Sequence, residues 1–203
     1  MSDFIDKLRL KEQADEDQYF ARRDRELIAA LRARRGLPLR RIVSGGQTGV
    51  DRAALDAARA AGIPIGGWCP HGRRAEDGSI PDRYPLRETP SADPAQRTEW
   101  NIRDSDGTLI LHRGLLAGGT ALTAALARRY GRSLLALDLD AAPDPAVIAA
   151  WLAGQGIDVL NVAGPRESEA PGIGAAALEL LAPLLRRQVE GRGSGRADPD
   201  PGR

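Results

Sequence analysis

Residues Arg41 to Leu55 read RIVSGGQTGVDRAAL: a short apolar run, a glycine-rich turn and a helix opening. Gly45, Gly46 and Gly49 let backbone N–H groups come close to an anion, and the positive end of the following helix favours that anion. Gln47 and Thr48 add side-chain donors of the kind that reach phosphate oxygens. The spacing is neither the dinucleotide GxGxxG nor a P-loop, which would need Lys-Ser/Thr after the last glycine. A phosphate or pyrophosphate ligand is indicated, with no preference for NAD or ATP. A plainer reading stands beside this one, because Thr48-Gly-Val-Asp51 also fits a capping box with Asp in place of Glu.

Two further glycine turns follow apolar runs in the same manner. One is Leu116-Ala-Gly-Gly-Thr-Ala-Leu-Thr123, with Gly118, Gly119, Thr120 and Thr123; the other is Asn161-Val-Ala-Gly-Pro-Arg-Glu-Ser168, with Gly164, Pro165, Arg166, Glu167 and Ser168. In an open α/β sheet such turns gather on the carboxyl edge of the strands, where ligands bind at the switch in strand order. Three turns on one edge make a lined pocket. Arg166 can grip a phosphate bidentately, and Arg73 and Arg74 suit an anion by type. Thr120 and Ser168 could equally be helix caps. Asp51, if it faces the pocket, could accept a ribose or pterin hydrogen bond; it is the first candidate for a catalytic carboxylate, and Asp51, Glu76, Asp77 and Glu167 are the carboxylates near the turns that a hydrolase could use.

The elements that must position these residues alternate along the chain. Strands are expected at Arg41–Ser44, Ile63–Gly67, Gly107–Leu111, Ser133–Asp138 and Asp158–Val162. Helices are expected near Val50–Ala61, Ala95–Asp104, Thr120–Tyr130, Pro145–Leu152 and Gly172–Leu185, with Pro183 distorting or ending the last. That alternation predicts an α/β, Rossmann-like domain over 41–187, with a mainly parallel sheet flanked by helices. Residues 66–94 are a long Gly/Pro/Arg-rich stretch, of a length that is usually functional or mobile. Most polar residues of the following helix (Arg97, Glu99, Asn101, Asp104) are expected on the surface. Residues 1–36 are highly charged, with Leu27, Ile28 and Leu31 on one helical face, and are expected as a helical extension. Residues 188–203 read as a disordered tail.

With 29 basic and 28 acidic residues in 203, the chain offers no broad field for nucleic acid or a membrane surface. No apolar run approaches a membrane span, and no signal-peptide core is visible. Cys69 is the single cysteine, so no intramolecular disulfide can form, and a cytoplasmic setting is expected. Cys69, His71 and His112 are too few for a closed zinc site. No metal ligands and no nucleophilic triad are legible.

SGGQTGVDRAALDAA, GIPIGGWCPHGRRAEDG, IPDRYPLRETPSADPAQRTEWNIRDSD, GGTALT and NVAGPRES together resemble the family of molybdenum cofactor carrier proteins. That family belongs to a wider Rossmann-like superfamily with the Lonely Guy-type phosphoribohydrolases. The resemblance runs from about Arg41 to Leu185. It implies a homo-oligomer that binds molybdenum cofactor, a phosphorylated pterin, through the Gly45–Thr48, Gly118–Thr120 and Gly164–Ser168 turns, with Arg73 and Arg74 assisting. The enzymatic relatives carry PGGxGTxxE with a catalytic Glu, whereas this chain has Thr123 and alanines in that region. Storage or carriage of the cofactor without catalysis is therefore the expected function. A nucleotide or phosphoribosyl-compound hydrolase, or a nucleotide sensor using the same pocket, remains the alternative. KEQADEDQYFARRDRELIAALRARR (Lys11 to Arg35) separately resembles the helix of mitochondrial-type ATPase inhibitor proteins, in which such a helix pairs and inserts into a protein partner. An ordinary amphipathic helix fits the same residues.

Overall fold

In the computed structural model the described residues are 39–193, together with Tyr19 and Arg23. The helical extension expected over 1–36 therefore lies outside the described residues, apart from those two positions, which are both helical.

Five parallel strands form the central sheet: β1 (Arg41–Val43), β2 (Ile65–Gly66), β7 (Gly107–His112), β8 (Ser133–Asp138) and β9 (Val159–Ala163), in the order β2-β1-β9-β7-β8. The central strands read as apolar runs because both faces are covered; Ile42, Leu109, Leu111, Leu160 and Val162 are fully buried. The helices are α1 (Val50–Ala60), α2 (Pro94–Arg103), α3 (Gly118–Arg129), α4 (Pro145–Gln155) and α5 (Ile173–Gly193). Right-handed crossovers place helices according to the direction in which the chain moves across the sheet. Accordingly α1 and α4 pack with α5 against one face, while α2 and α3 pack together against the other.

Two helix starts, those of α2 and α4, carry the same local signal. Asp93 and Asp144 accept hydrogen bonds from Ala95 N and Ala146 N, and each is followed by a proline at the first helical position. The buried face of α1 is Ala53, Ala54, Ala57 and Ala58. Small side chains there let α1 lie close to the sheet and to Ile173, Ala177 and Leu181 of α5. Each fully buried large apolar side chain that this close approach covers, Ile173 and Leu181 among them, contributes roughly 1.5–3 kcal/mol.

Pro183 does not end the last helix, which runs on to Gly193. Leu181, Leu184 and Leu185 are buried on the core on either side of it, and that packing holds the backbone helical through the missing N–H. Helix α5 thus extends past the boundary drawn at 187, and residues 194–203 lie outside the described residues.

The stretch 66–94 is ordered around short paired strands. β3 (Trp68–Cys69) pairs in parallel with β6 (Arg87–Glu88), and β4 (Arg74–Ala75) pairs antiparallel with β5 (Gly78–Ser79). Beneath them Leu55, Cys69, Ile80, Tyr84 and Leu86 form a second apolar cluster.

Candidate functional site

The turns after β1, β7 and β9 do converge on the carboxyl edge of the sheet, but they are in different states. After β1, Gly49 has φ +74, and a Cβ there would stand 2.6 Å from the Pro165 carbonyl oxygen and 3.0 Å from Glu167 N. Only glycine allows this approach, which joins the first turn to the third. Gly49, not Thr48, is the N-cap of α1, so the capping-box reading does not hold. The Thr48 hydroxyl instead accepts from Glu167 N at 3.2 Å and donates to the Glu76 carboxylate.

Glu76, one of the carboxylates open to a hydrolase, sits at the tip of the β4–β5 hairpin, and its partners are the turns themselves. Its two oxygens also accept from Ser168 N at 3.2 Å and from the Ser168 hydroxyl, with Arg166 Nε 4.0 Å away. Burial pushes its carboxyl up, but the hydrogen bonds from Ser168 and Thr48 and the charge of Arg166 outweigh that and hold it below the ordinary glutamate value. Gln47 completes the join: its side-chain oxygen accepts from Thr48 N and from Glu76 N, both at 3.0 Å. Arg52 fixes the neighbouring residue, with paired bonds of 2.5 and 2.7 Å to Asp77 and a third to the Gly46 carbonyl at 3.0 Å.

Two other candidate carboxylates are turned inward. Asp51 is only 2% exposed; it accepts from Gln47 N at 3.3 Å and pairs with Arg97 at 3.2 Å. Burial drives its carboxyl pKa up, against the pull of Arg97 and of the turn amides. Asp51 thus holds the turn from inside and does not present a carboxylate to a pocket. Glu167 caps α5, accepting from Gly172 N and Gly174 N. Ser168, weighed as a cap, donates to Glu76 instead.

The turn after β7 is different. Ala117 is the N-cap of α3 and supplies no side-chain bond. Thr120 N and Ala121 N return to the Ala117 carbonyl at 3.0 and 3.1 Å. The Gly118 and Gly119 amides have no hydrogen-bond partner among the described residues, and a Cβ at either position would meet nothing within 4 Å. Thr120 and Thr123 are buried, and the Thr123 hydroxyl donates to the Gly119 carbonyl at 2.8 Å within its own helix.

Of the two loop arginines, Arg73 has φ +51, and its guanidinium donates to the carbonyls of Ile80, Pro81, Tyr84 and Leu86 at 3.0–3.1 Å. It organises the loop rather than offering itself to a ligand. Arg74 is exposed, and its side chain carries no hydrogen bond or ion pair among the described residues.

Two α2 residues expected at the surface support the site from within, Arg97 partly covered and Asn101 buried. Arg97 lies over Gly45, where a Cβ would come within 2.0 Å of its Nη1. Asn101 is 2% exposed, accepting from Trp68 N at 2.8 Å and donating to Trp68 O at 2.9 Å. Their i,i+4 spacing beside Thr98 and Ile102 marks one face. They escaped notice because what they bury against is glycine backbone. No group of three or more His, Cys, Asp or Glu able to hold a metal occurs among the described residues, and none of their helices is long and apolar enough to cross a membrane.

Renumbering the sheet from β9 explains its order. With β9 as first strand, followed by β1, β2, β7 and β8, the order β2-β1-β9-β7-β8 becomes the Rossmann order 3-2-1-4-5. The domain is a Rossmann-like sheet whose first strand has moved to the end. The switch point then lies between β9 and β7, flanked by Gly164–Ser168 on one side and Gly118–Thr120 on the other.

That permuted arrangement defines a class, and the comparisons identify it. The chain belongs to the circularly permutated YpsA SLOG family, whose model matches residues 42–185. It is similar to the crystal structure of "Putative molybdenum carrier protein" from Syntrophus aciditrophicus SB, with 47% identity and a TM-score of 0.70, over 73% of this chain and 96% of that one. No curated protein matches the chain.

Proposed function

We propose that this protein binds a phosphorylated ligand without catalysis, and that the ligand is molybdenum cofactor, held as cargo for storage or delivery. The observation that carries the reading is the donor set at the switch point. The Thr48 hydroxyl, Ser168 N and Oγ, and Arg166 already surround an anionic group, that of Glu76. Across the switch point the Gly118 and Gly119 amides have no partner among the described residues. Such donors suit the phosphate of a pterin cofactor. The similar Syntrophus protein is named a molybdenum carrier, which supports the choice of cargo.

The case against catalysis is chemical. Bond cleavage at a ribosyl carbon needs a presented carboxylate to stabilise developing charge or to activate water. Asp51 is buried against Arg97 and Glu167 is spent on helix amides, while Thr123 and Ala124 stand early in α3. One observation favours the nucleotide-hydrolase alternative: Glu76 is held ionised at the donor set. The resemblance further supports a homo-oligomer, and the lone buried Cys69 suits a cytoplasmic setting. A protein partner for the charged N-terminal segment is part of the same proposal.

The test is elemental and fluorescence analysis of the purified full chain for molybdenum and oxidised pterin, alongside incubation with nucleoside monophosphates and chromatography for free base. Bound pterin without base release is expected. Base release that vanishes in Glu76→Gln would promote the hydrolase.

A further inference from the structure

We propose that Glu76 is an internal substitute for the ligand's phosphate: it keeps the Thr48–Ser168–Arg166 donor set closed, and a phosphate monoester enters by displacing it and releasing the β4–β5 hairpin. This rests on the reading of that edge as a phosphate-ligand site, and adds where the phosphate goes and what guards it.

The donors are arranged for an anion and not merely for packing. Glu167 N occupies an acceptor site of the Thr48 hydroxyl at 3.2 Å, which leaves the hydroxyl hydrogen to point at Glu76. Ser168 gives both its amide and its hydroxyl to the same carboxylate. Three donors converge on two oxygens, and Arg166 stands only at 4.0 Å while making its closer contact, 3.1 Å, to Glu169. A carboxylate brings one charge and two oxygens. A phosphate monoester brings a charge of about −1.5 to −2 and three terminal oxygens, enough to satisfy the same donors and draw in Arg166. The donor set is thus better matched to the ligand than to its present occupant.

The hairpin is built to leave. Its base is fixed, because Arg73 ties the backbone to four carbonyls of 80–86. Its tip, residues 76–79, is exposed, although the Glu76 side chain keeps only 18% of its exposure. Within the tip Gly78 has φ +115, and nothing lies within 4 Å of a Cβ there. The tip is attached by the bonds of Glu76 to the turns, by the Arg52–Asp77 pair and by the Gln47 bond to Glu76 N. All are polar contacts, with Asp77 half-exposed, of a kind that water and a competing anion replace.

The experiment uses the full chain and inorganic phosphate as the probe. Calorimetric titration at pH 7.5 should show E76Q binding phosphate at least tenfold more tightly than the parent, since a self-competing anion has been removed. E76D, which keeps the charge but retracts it by one methylene, should fall between them, and S168A should weaken binding in either background. Hydrogen exchange of the parent should show residues 74–79 losing protection when phosphate is added. Measurable parent binding with no gain in E76Q or E76D, or a hairpin that keeps its protection, overturns the displacement and leaves the phosphate site standing. Absence of phosphate binding in all variants overturns both.

Discussion

The turns after β1 and β9 and the turn after β7 are written in the same residue types, yet one pair is closed and the other is open. In the pair, Asp51, Glu76 and Glu167 each spend a carboxylate on turn or helix-opening groups. At Gly118–Thr120 no carboxylate among the described residues bonds to the turn, and the glycine amides have no partner among them. Buried amides must be paired, so a glycine turn pressed against its neighbours acquires an internal acceptor, whereas one on an exposed rim can wait for a ligand. The sequence motif alone does not separate these states; what distinguishes them is the acid brought to two of the turns from elsewhere in the fold.

The largest effect that would break this contrast is Gly49→Val. With φ +74 and the Pro165 carbonyl 2.6 Å from a new Cβ, strain and overlap should cost roughly 3 kcal/mol or more, read as a large fall in the denaturation midpoint. Gly119→Ala, the same kind of change in the open turn, belongs at the opposite end of the scale. Between them, Asp51→Asn removes the charge facing Arg97 while keeping the shape, and should cost about 1–3 kcal/mol, measured by urea unfolding. Equal stability in that variant would show that the first turn does not need its internal anion.

A smaller effect is the pH dependence of Glu76. Its carboxyl is held below the ordinary value of 4.5 by Ser168 and Thr48, so the stability it adds is fully present above that value. It is lost as pH falls through the lower, folded value. The stability gap between the parent and E76Q should therefore stay level in the neutral range and close in acid; a gap that is flat into acid would remove the carboxylate from the hairpin's hold. Smallest of all, Gly119→Ala should change stability by no more than about 0.5 kcal/mol, and should weaken ligand binding if the backbone there approaches the ligand.

The strands and helices were legible because their signals are local. Asp-Pro before α2 and α4, apolar runs for β7 and β9, and glycine turns between them all act within a few residues. Helix α5 was cut short because Pro183 is a local breaker, whereas what carries the helix through it is leucine packing on distant elements. Arg73 was read as a ligand contact by its charge; its actual partners are carbonyls up to thirteen residues away in the loop. Glu76 reaches Ser168 across 92 positions, and no spacing rule connects them. The strand order was equally hidden, since a permutation leaves every local pattern intact.

That permutation has a consequence for how the chain acquires its shape. The middle of the sheet, β9, is the last of the described strands, and Ser44 after β1 bonds to Val162 across 118 positions. Until residues 159–163 are available, β1 and β7 have no shared neighbour, and the apolar faces of Ile42 and Leu109 lack their cover. Folding must therefore close a long loop before the sheet can form, which slows it, and a nascent chain halted before β9 would hold two sheet fragments with open edges. Such edges are sites of aggregation, so loss of the final strand would remove the keystone of the domain rather than trim its margin.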